Sequence, residues 1–136
     1  MMALSRTLSG QMLESGFAEH PDHTIRIEPA KRIVTVTVGG SVLMKTAHAL
    51  VLYEADYAPV YYFPRDEINM ALLTPTDHST WCPYKGAASY FSIISENDDV
   101  LENAVWSYGD PFEEIAAIKD YLGFMPPHAT ITVSEV

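Results

Sequence analysis

The chain predicts a mainly β domain of seven or eight short strands with two short helices. Three observations carry that expectation. Residues Ile33 to Val38 alternate strictly, with Val34, Val36 and Val38 on one side and Ile33, Thr35 and Thr37 on the other. Gly39-Gly40 then separates this run from Val42-Leu43-Met44, the pattern of a two-residue hairpin. Beyond a loosely helical N-terminal stretch, helical spacing is confined to two brief segments, so the strands dominate. A pair of packed sheets or an open barrel accommodates such a set.

The elements follow in chain order. Leu8, Met12, Leu13 and Phe17 have loosely helical spacing interrupted by Gly10 and Gly16, so residues 1 to 20 read as a short helix or docked arm. His20-Pro21-Asp22-His23 reads as a turn, and Ile25 and Ile27 open an extended segment. Ala49 to Glu54 is apolar on both faces, which suits a central strand. Ala58 to Pro64 is a short aromatic strand with a proline near each end, and the prolines confine it to an edge or to a brief pairing. Pro64-Arg65-Asp66-Glu67 opens the first helix, with its acids at the positive end of the dipole. Ile68, Ala71 and Leu72 form its stripe, and Thr74-Pro75 ends it. A loop is expected from there until a strand at Ala88 to Ile94. Asn97-Asp98-Asp99 reads as a solvated turn. Ala104 to Tyr108 is a strand presenting Ala104, Trp106 and Tyr108 together. Asp110-Pro111-Phe112-Glu113 has the form of a capped helix start. Ile115, Ile118 and Leu122 supply that helix's buried face and Gly123 its end. Thr130 to Val133 alternates as a last strand.

Composition bounds the function. At 136 residues the chain fits one domain, whose core needs no metal or disulfide to hold it. The net charge is −10 with only eight Lys and Arg, which argues against nucleic acid, since phosphate contacts need cations in number. A single cysteine excludes an internal disulfide framework and a thiolate zinc cage within one chain. No metal or other cofactor is expected. The first residues have no sustained apolar run, and no stretch approaches the length of a membrane span. These features set the expectation of a cytoplasmic protein that does not engage membranes. Oligomeric state is not legible.

The segment His78 to Phe91 concentrates reactive and aromatic side chains, including Trp81, Cys82 and Lys85. Here three ordered motifs resemble a known family. Glu54-x-x-Tyr57-x-Pro59-Val60-Tyr61-Tyr62-Phe63-Pro64-Arg65-Asp66 is the first. Cys82-Pro83-Tyr84-Lys85-Gly86 with Tyr90 is the second, and Trp106-Ser107-Tyr108 with Pro111, Ile118 and Phe124 is the third. Together with Arg32 and Gly40 they resemble the domain-of-unknown-function family 427 over roughly residues 21 to 133. The resemblance implies a single β-tent-like domain over 21 to 136, a fold shared by methionine-R-sulfoxide reductase and the thalidomide-binding domain of cereblon. Many proteins of that fold group hold a structural zinc between two cysteine pairs, and this chain departs from that pattern. The family's name also suggests nucleotidyl transfer. No paired-carboxylate motif for magnesium and no Gly-rich phosphate loop supports it here.

The residues in these motifs each have a functional and a plain structural role. Cys82 is a nucleophile if a nearby cation favours its thiolate, or else a small buried hydrophobe. Lys85 binds an anion or pairs with Glu54 or Asp66. Glu54 ends an apolar strand, where a carboxylate is costly without a partner; it is an acid–base group or half of a salt bridge with Lys85 or Arg65. His78 is a base for Cys82 or an exposed loop residue. The expected site gathers Glu54, Tyr62, Arg65, Cys82, Lys85, Trp106 and Tyr108 around a small molecule, with Tyr62, Trp106 and Tyr108 as walls. Two alternatives stand beside it: a structural or protein-interaction module with no catalytic site, and a thiol-dependent enzyme using Cys82.

Overall fold

Backbone pairing in this chain is antiparallel throughout its described part. The computed structural model describes residues 24–95 and 98–134. The expected N-terminal helix or arm, the turn at His20 to His23 and Asn97 lie outside these. The described residues form ten strands: β1 (Ile25–Pro29), β2 (Val34–Val38), β3 (Ser41–Thr46), β4 (Leu50–Glu54), β5 (Val60–Tyr62), β6 (Leu73–Cys82), β7 (Gly86–Ile94), β8 (Val100–Tyr108), β9 (Leu122–Phe124) and β10 (Thr130–Val133). They make three sheets, with orders β1-β4-β5, β10-β2-β3 and β6-β7-β8-β9.

The architecture is mainly β, as the alternation predicts. Val34, Val36 and Val38 are buried while Thr35 and Thr37 are only partly covered. Gly39 and Gly40 both have positive φ, 59° and 85°, which a two-residue hairpin turn requires. β4 is central in its sheet and β5 lies at an edge.

The long loop expected before Ala88 is instead a strand. β6 runs ten residues and pairs with β7 from Leu73↔Ile93 to Cys82↔Gly86, with a register shift between Pro75 and Ser79. It is an edge strand wet on both faces for most of its length, so it has no alternation to betray it. Its edge position also tolerates Pro75. Strand content therefore exceeds the expected seven or eight.

The two helices contract to 3-10 turns. Arg65–Glu67 and Met70–Leu72 are separate, because Ile68 between them is extended. The Asn69 side chain accepts from the Ala71 N–H and starts the second turn anew. The 3-10 segment Glu113–Ile118 is broken at Ile115 (φ −129°) and is preceded by Phe112, with no capping bond from Asp110. Ile115 and Ile118 are buried as expected, but Leu122 and Gly123 belong to β9.

The four-stranded sheet is the wall on which everything else packs. Its register puts Phe91, Val105 and Phe124 on one face, and Ala88, Tyr90, Trp106, Tyr108 and Gly123 on the other. The first face meets Val34, Val36, Val38 and Met44 of the β10-β2-β3 sheet. The second meets Leu52 and Tyr62 of the β1-β4-β5 sheet and Ile115 and Ile118. Reciprocal backbone bonds of 2.9 Å between Phe63 and Leu122 join β5 to β9, and Phe63 stacks edge-on against Phe124.

Gly123 is required by this packing. A Cβ there would lie 2.5 Å from Cζ2 of Trp106, whose indole rests on the glycine. Gly123→Ala is expected to destabilise the protein by about 1–3 kcal/mol through overpacking. Urea unfolding followed by tryptophan fluorescence measures it; an unchanged midpoint would show that the indole does not rest there.

Candidate functional site

Cys82 and Lys85 face each other across a turn that glycine makes possible. The Lys85 N–H donates to the Cys82 carbonyl at 3.2 Å, and the Lys85 carbonyl accepts from the Phe112 N–H at 3.3 Å. Gly86 follows with φ 105°, a conformation that side chains rarely adopt, and a Cβ there would sit 3.3 Å from the Asp110 carbonyl oxygen. Glu54 arrives from another sheet, at the end of β4 and opposite Ile25 of β1.

The lysine joins these parts. Its Nζ donates to Glu54 Oε1 at 2.5 Å, and the two side chains are only 11% and 15% exposed. The same Nζ lies 3.9 Å from Cys82 Sγ. Cys82 is half-buried and unbridged. A thiol, an ammonium and a carboxylate thus form one contiguous group drawn from two motifs.

Aromatic side chains surround it. Tyr62 is buried, and its hydroxyl accepts from Trp106 Nε1 at 3.2 Å while the two rings meet edge-to-face. Tyr108 is buried on the same sheet face as Trp106, opposite Ala88. Tyr90 pairs with Trp106 in the ladder, and its hydroxyl shares a 2.9 Å hydrogen bond with Thr80. Burial pushes the Tyr62 phenol up to about 12; the Trp106 hydrogen bond partly offsets this, and the charges of Cys82, Glu54 and Tyr90 add to it. Burial likewise pushes the Tyr108 phenol up, reinforced by Tyr62, Cys82, Tyr90 and Glu54. Both phenols keep their protons at neutral pH.

Of the expected site residues, Glu54, Tyr62, Cys82, Lys85, Trp106 and Tyr108 come together. Arg65 does not. Its Nη2 donates to Ser107 Oγ at 2.9 Å, its Nε to the Asp120 carbonyl at 3.0 Å, and its guanidinium lies over Phe91. Ser107 and Phe91 belong to the opposite face of the four-stranded sheet, so that sheet separates Arg65 from the cluster. His78 is no base for Cys82 either. It stacks edge-on against Tyr90 and stands four residues away, about 13 Å along a strand. Thr80 and Tyr90 share the cluster's sheet face. The β-prone run Thr80-Trp81-Cys82 was the signal that could have placed Thr80 there.

A second polar group sits apart. Thr46 Oγ1 and His48 Nδ1 each meet the Glu67 carboxylate at 2.6 Å, and these two bonds hold it below its usual range. Thr46 is buried and His48 exposed, so the group ties the end of β3 to the Arg65–Glu67 turn. Among the described residues no three His, Cys, Asp or Glu are grouped to hold a metal ion, and no helix is long and apolar enough to cross a membrane.

A family model described as a domain of unknown function (DUF427) matches residues 26–135. No curated protein matches the chain.

The raised Tyr62 phenol sets an alkaline limit. Its contribution is intact below the unfolded value of 10.0 and is lost as pH rises through about 12, because the native state holds the proton longer than the unfolded chain. Stability is expected to fall over that window, and Tyr62→Phe to flatten the fall. Denaturant midpoints across the window check it; an equally steep fall in the variant would contradict it.

Proposed function

This chain belongs to the DUF427 family, a domain whose description assigns no activity, and from that premise we propose that it binds a small molecule at the Glu54–Lys85–Cys82 cluster. One observation carries the reading: a buried ammonium is bonded to a largely covered carboxylate and lies 3.9 Å from a half-buried thiol. Buried charges are expensive, and sites that bind or react are where proteins retain them.

The surroundings suit a small ligand. Tyr62, Trp106 and Tyr108 give apolar walls, and Thr80, Tyr90 and the ion pair give a few directed polar groups. Lys85 and Glu54 neutralise one another, so the site presents little net charge. The chain's net charge of −10 favours a small molecule over nucleic acid as partner. A lone unbridged thiol suits a reducing compartment, and we place the protein in the cytoplasm on that ground.

The competing reading is a clamp, in which the ion pair only fastens the β6–β7 turn to β4. Accessibility of the sulfur separates the two. Iodoacetamide labelling of Cys82, read by intact mass across low denaturant concentrations, is expected to proceed in the folded protein at a rate independent of denaturant. Labelling that tracks unfolding would mean a sealed cysteine and favour the clamp.

A further inference from the structure

Tyr108 carries a hydroxyl that the described residues leave without a hydrogen-bond partner. The residue is 8% exposed, and among the described residues nothing hydrogen-bonds to its phenolic oxygen. The neighbouring phenols each have a partner: the Tyr62 oxygen accepts from Trp106 Nε1, and the Tyr90 hydroxyl shares a hydrogen bond with Thr80. Buried tyrosine hydroxyls almost always find a partner, because an unmet donor forfeits its hydration for nothing. Here the ring is held on the cluster's side of the four-stranded sheet, beside Ala88 and packed with Tyr62, while Cys82, Tyr90 and Trp106 adjoin the same core. The unmet donor therefore belongs to the same group as the thiol and the ion pair.

We infer that Tyr108 is the oxygen-recognising residue of this site, and that the ligand is a neutral carbonyl compound whose oxygen accepts the Tyr108 hydroxyl proton in a hydrogen bond. The inference rests on the small-molecule reading above and adds the ligand class to it. A neutral acceptor fits better than a carboxylate or phosphate. Tyr108 is surrounded by electron-rich groups: the Glu54 carboxylate, the Cys82 thiol and the Tyr62 and Tyr90 phenols. Among the described residues the one cation of the cluster, Lys85, already spends its charge on Glu54. Because burial keeps the phenol protonated, it serves as a donor at neutral pH and beyond. A carbonyl held this way beside Cys82 is also polarised, so that negative charge developing on its oxygen meets a fixed donor.

Two small neutral thiol reagents test this on the full chain. With acrylamide, Cys82 Sγ forms a bond to the β-carbon, the C=C electron pair shifts toward the carbonyl oxygen, and the proton lost from sulfur ends on the α-carbon. With dimethyl disulfide, Sγ forms a new S–S bond and methanethiol leaves; the reagent has no oxygen for Tyr108 to hold. The ratio of the two rates cancels differences in thiolate availability. The native ratio is expected to exceed that of the urea-unfolded chain by about tenfold, less than the roughly 100- to 1,000-fold that one fixed donor contributes to a developing oxyanion in an enzyme site. Tyr108→Phe is expected to return it to the unfolded value. Equal native and unfolded ratios, or a native ratio that Tyr108→Phe leaves unchanged, would mean that the hydroxyl does not reach a carbonyl oxygen beside Cys82 and would overturn the assignment while leaving the site reading intact. If neither reagent reaches Cys82 before unfolding, the small-molecule site itself fails and the assignment with it. Should the variant not fold, the wild-type comparison of native with unfolded chain decides alone.

Discussion

Glu54 and Lys85 leave water together, and neither could do so alone. A buried carboxylate or ammonium without its partner is several kcal/mol out of balance. Their contact therefore fixes which turn lies against which strand end. Glu54 closes β4, in the sheet that carries Tyr62; Lys85 sits in the turn that ends β6 and begins β7. With that contact made, Cys82 comes within reach of the ammonium. Tyr62 meanwhile approaches Trp106 through its hydrogen bond. Two glycines permit the arrangement. Gly86 turns the chain beside Asp110, and Gly123 gives the Trp106 indole a floor without a side chain.

The four-stranded sheet sorts side chains by parity, and this explains what the site includes. Trp106 and Tyr108 face one way and Ser107 the other. A single motif, Trp106-Ser107-Tyr108, thus serves both sides of the wall. Its aromatic members line the cluster, and its serine accepts from Arg65 while donating to the Tyr121 carbonyl. Arg65 anchors the connection between β5 and the opposite core, a structural use of a residue that its motif placed among the expected site residues.

Much of the fold is legible in the sequence because half-buried strands alternate. β2, the glycine hairpin and the central, doubly apolar β4 are read directly from their residues. β6 is not, because an edge strand exposed on both faces leaves no period for the eye to catch. The two short helices are over-read for a related reason. Ile68 with Leu72, and Ile115 with Ile118, are spaced as on a helix, yet such short stretches bury equally well from 3-10 turns. Most of the cluster is legible because its motifs are dense in rare residue types. The pairing of Lys85 with Glu54 rather than with Asp66 is not, since sequence separation carries no information about which carboxylate the turn will meet. The unmet hydroxyl of Tyr108 is likewise visible only once its neighbours are placed.

A double-mutant cycle on Glu54→Gln and Lys85→Met tests the central role of the ion pair most directly. Each single substitution leaves one buried charge alone and is predicted to cost about 3–5 kcal/mol. The double variant removes both charges and is predicted to be markedly less destabilised than the sum of the singles, with a coupling of about 2 kcal/mol or more. Single losses below about 1 kcal/mol that simply add, as for a solvent-exposed pair, would contradict the account.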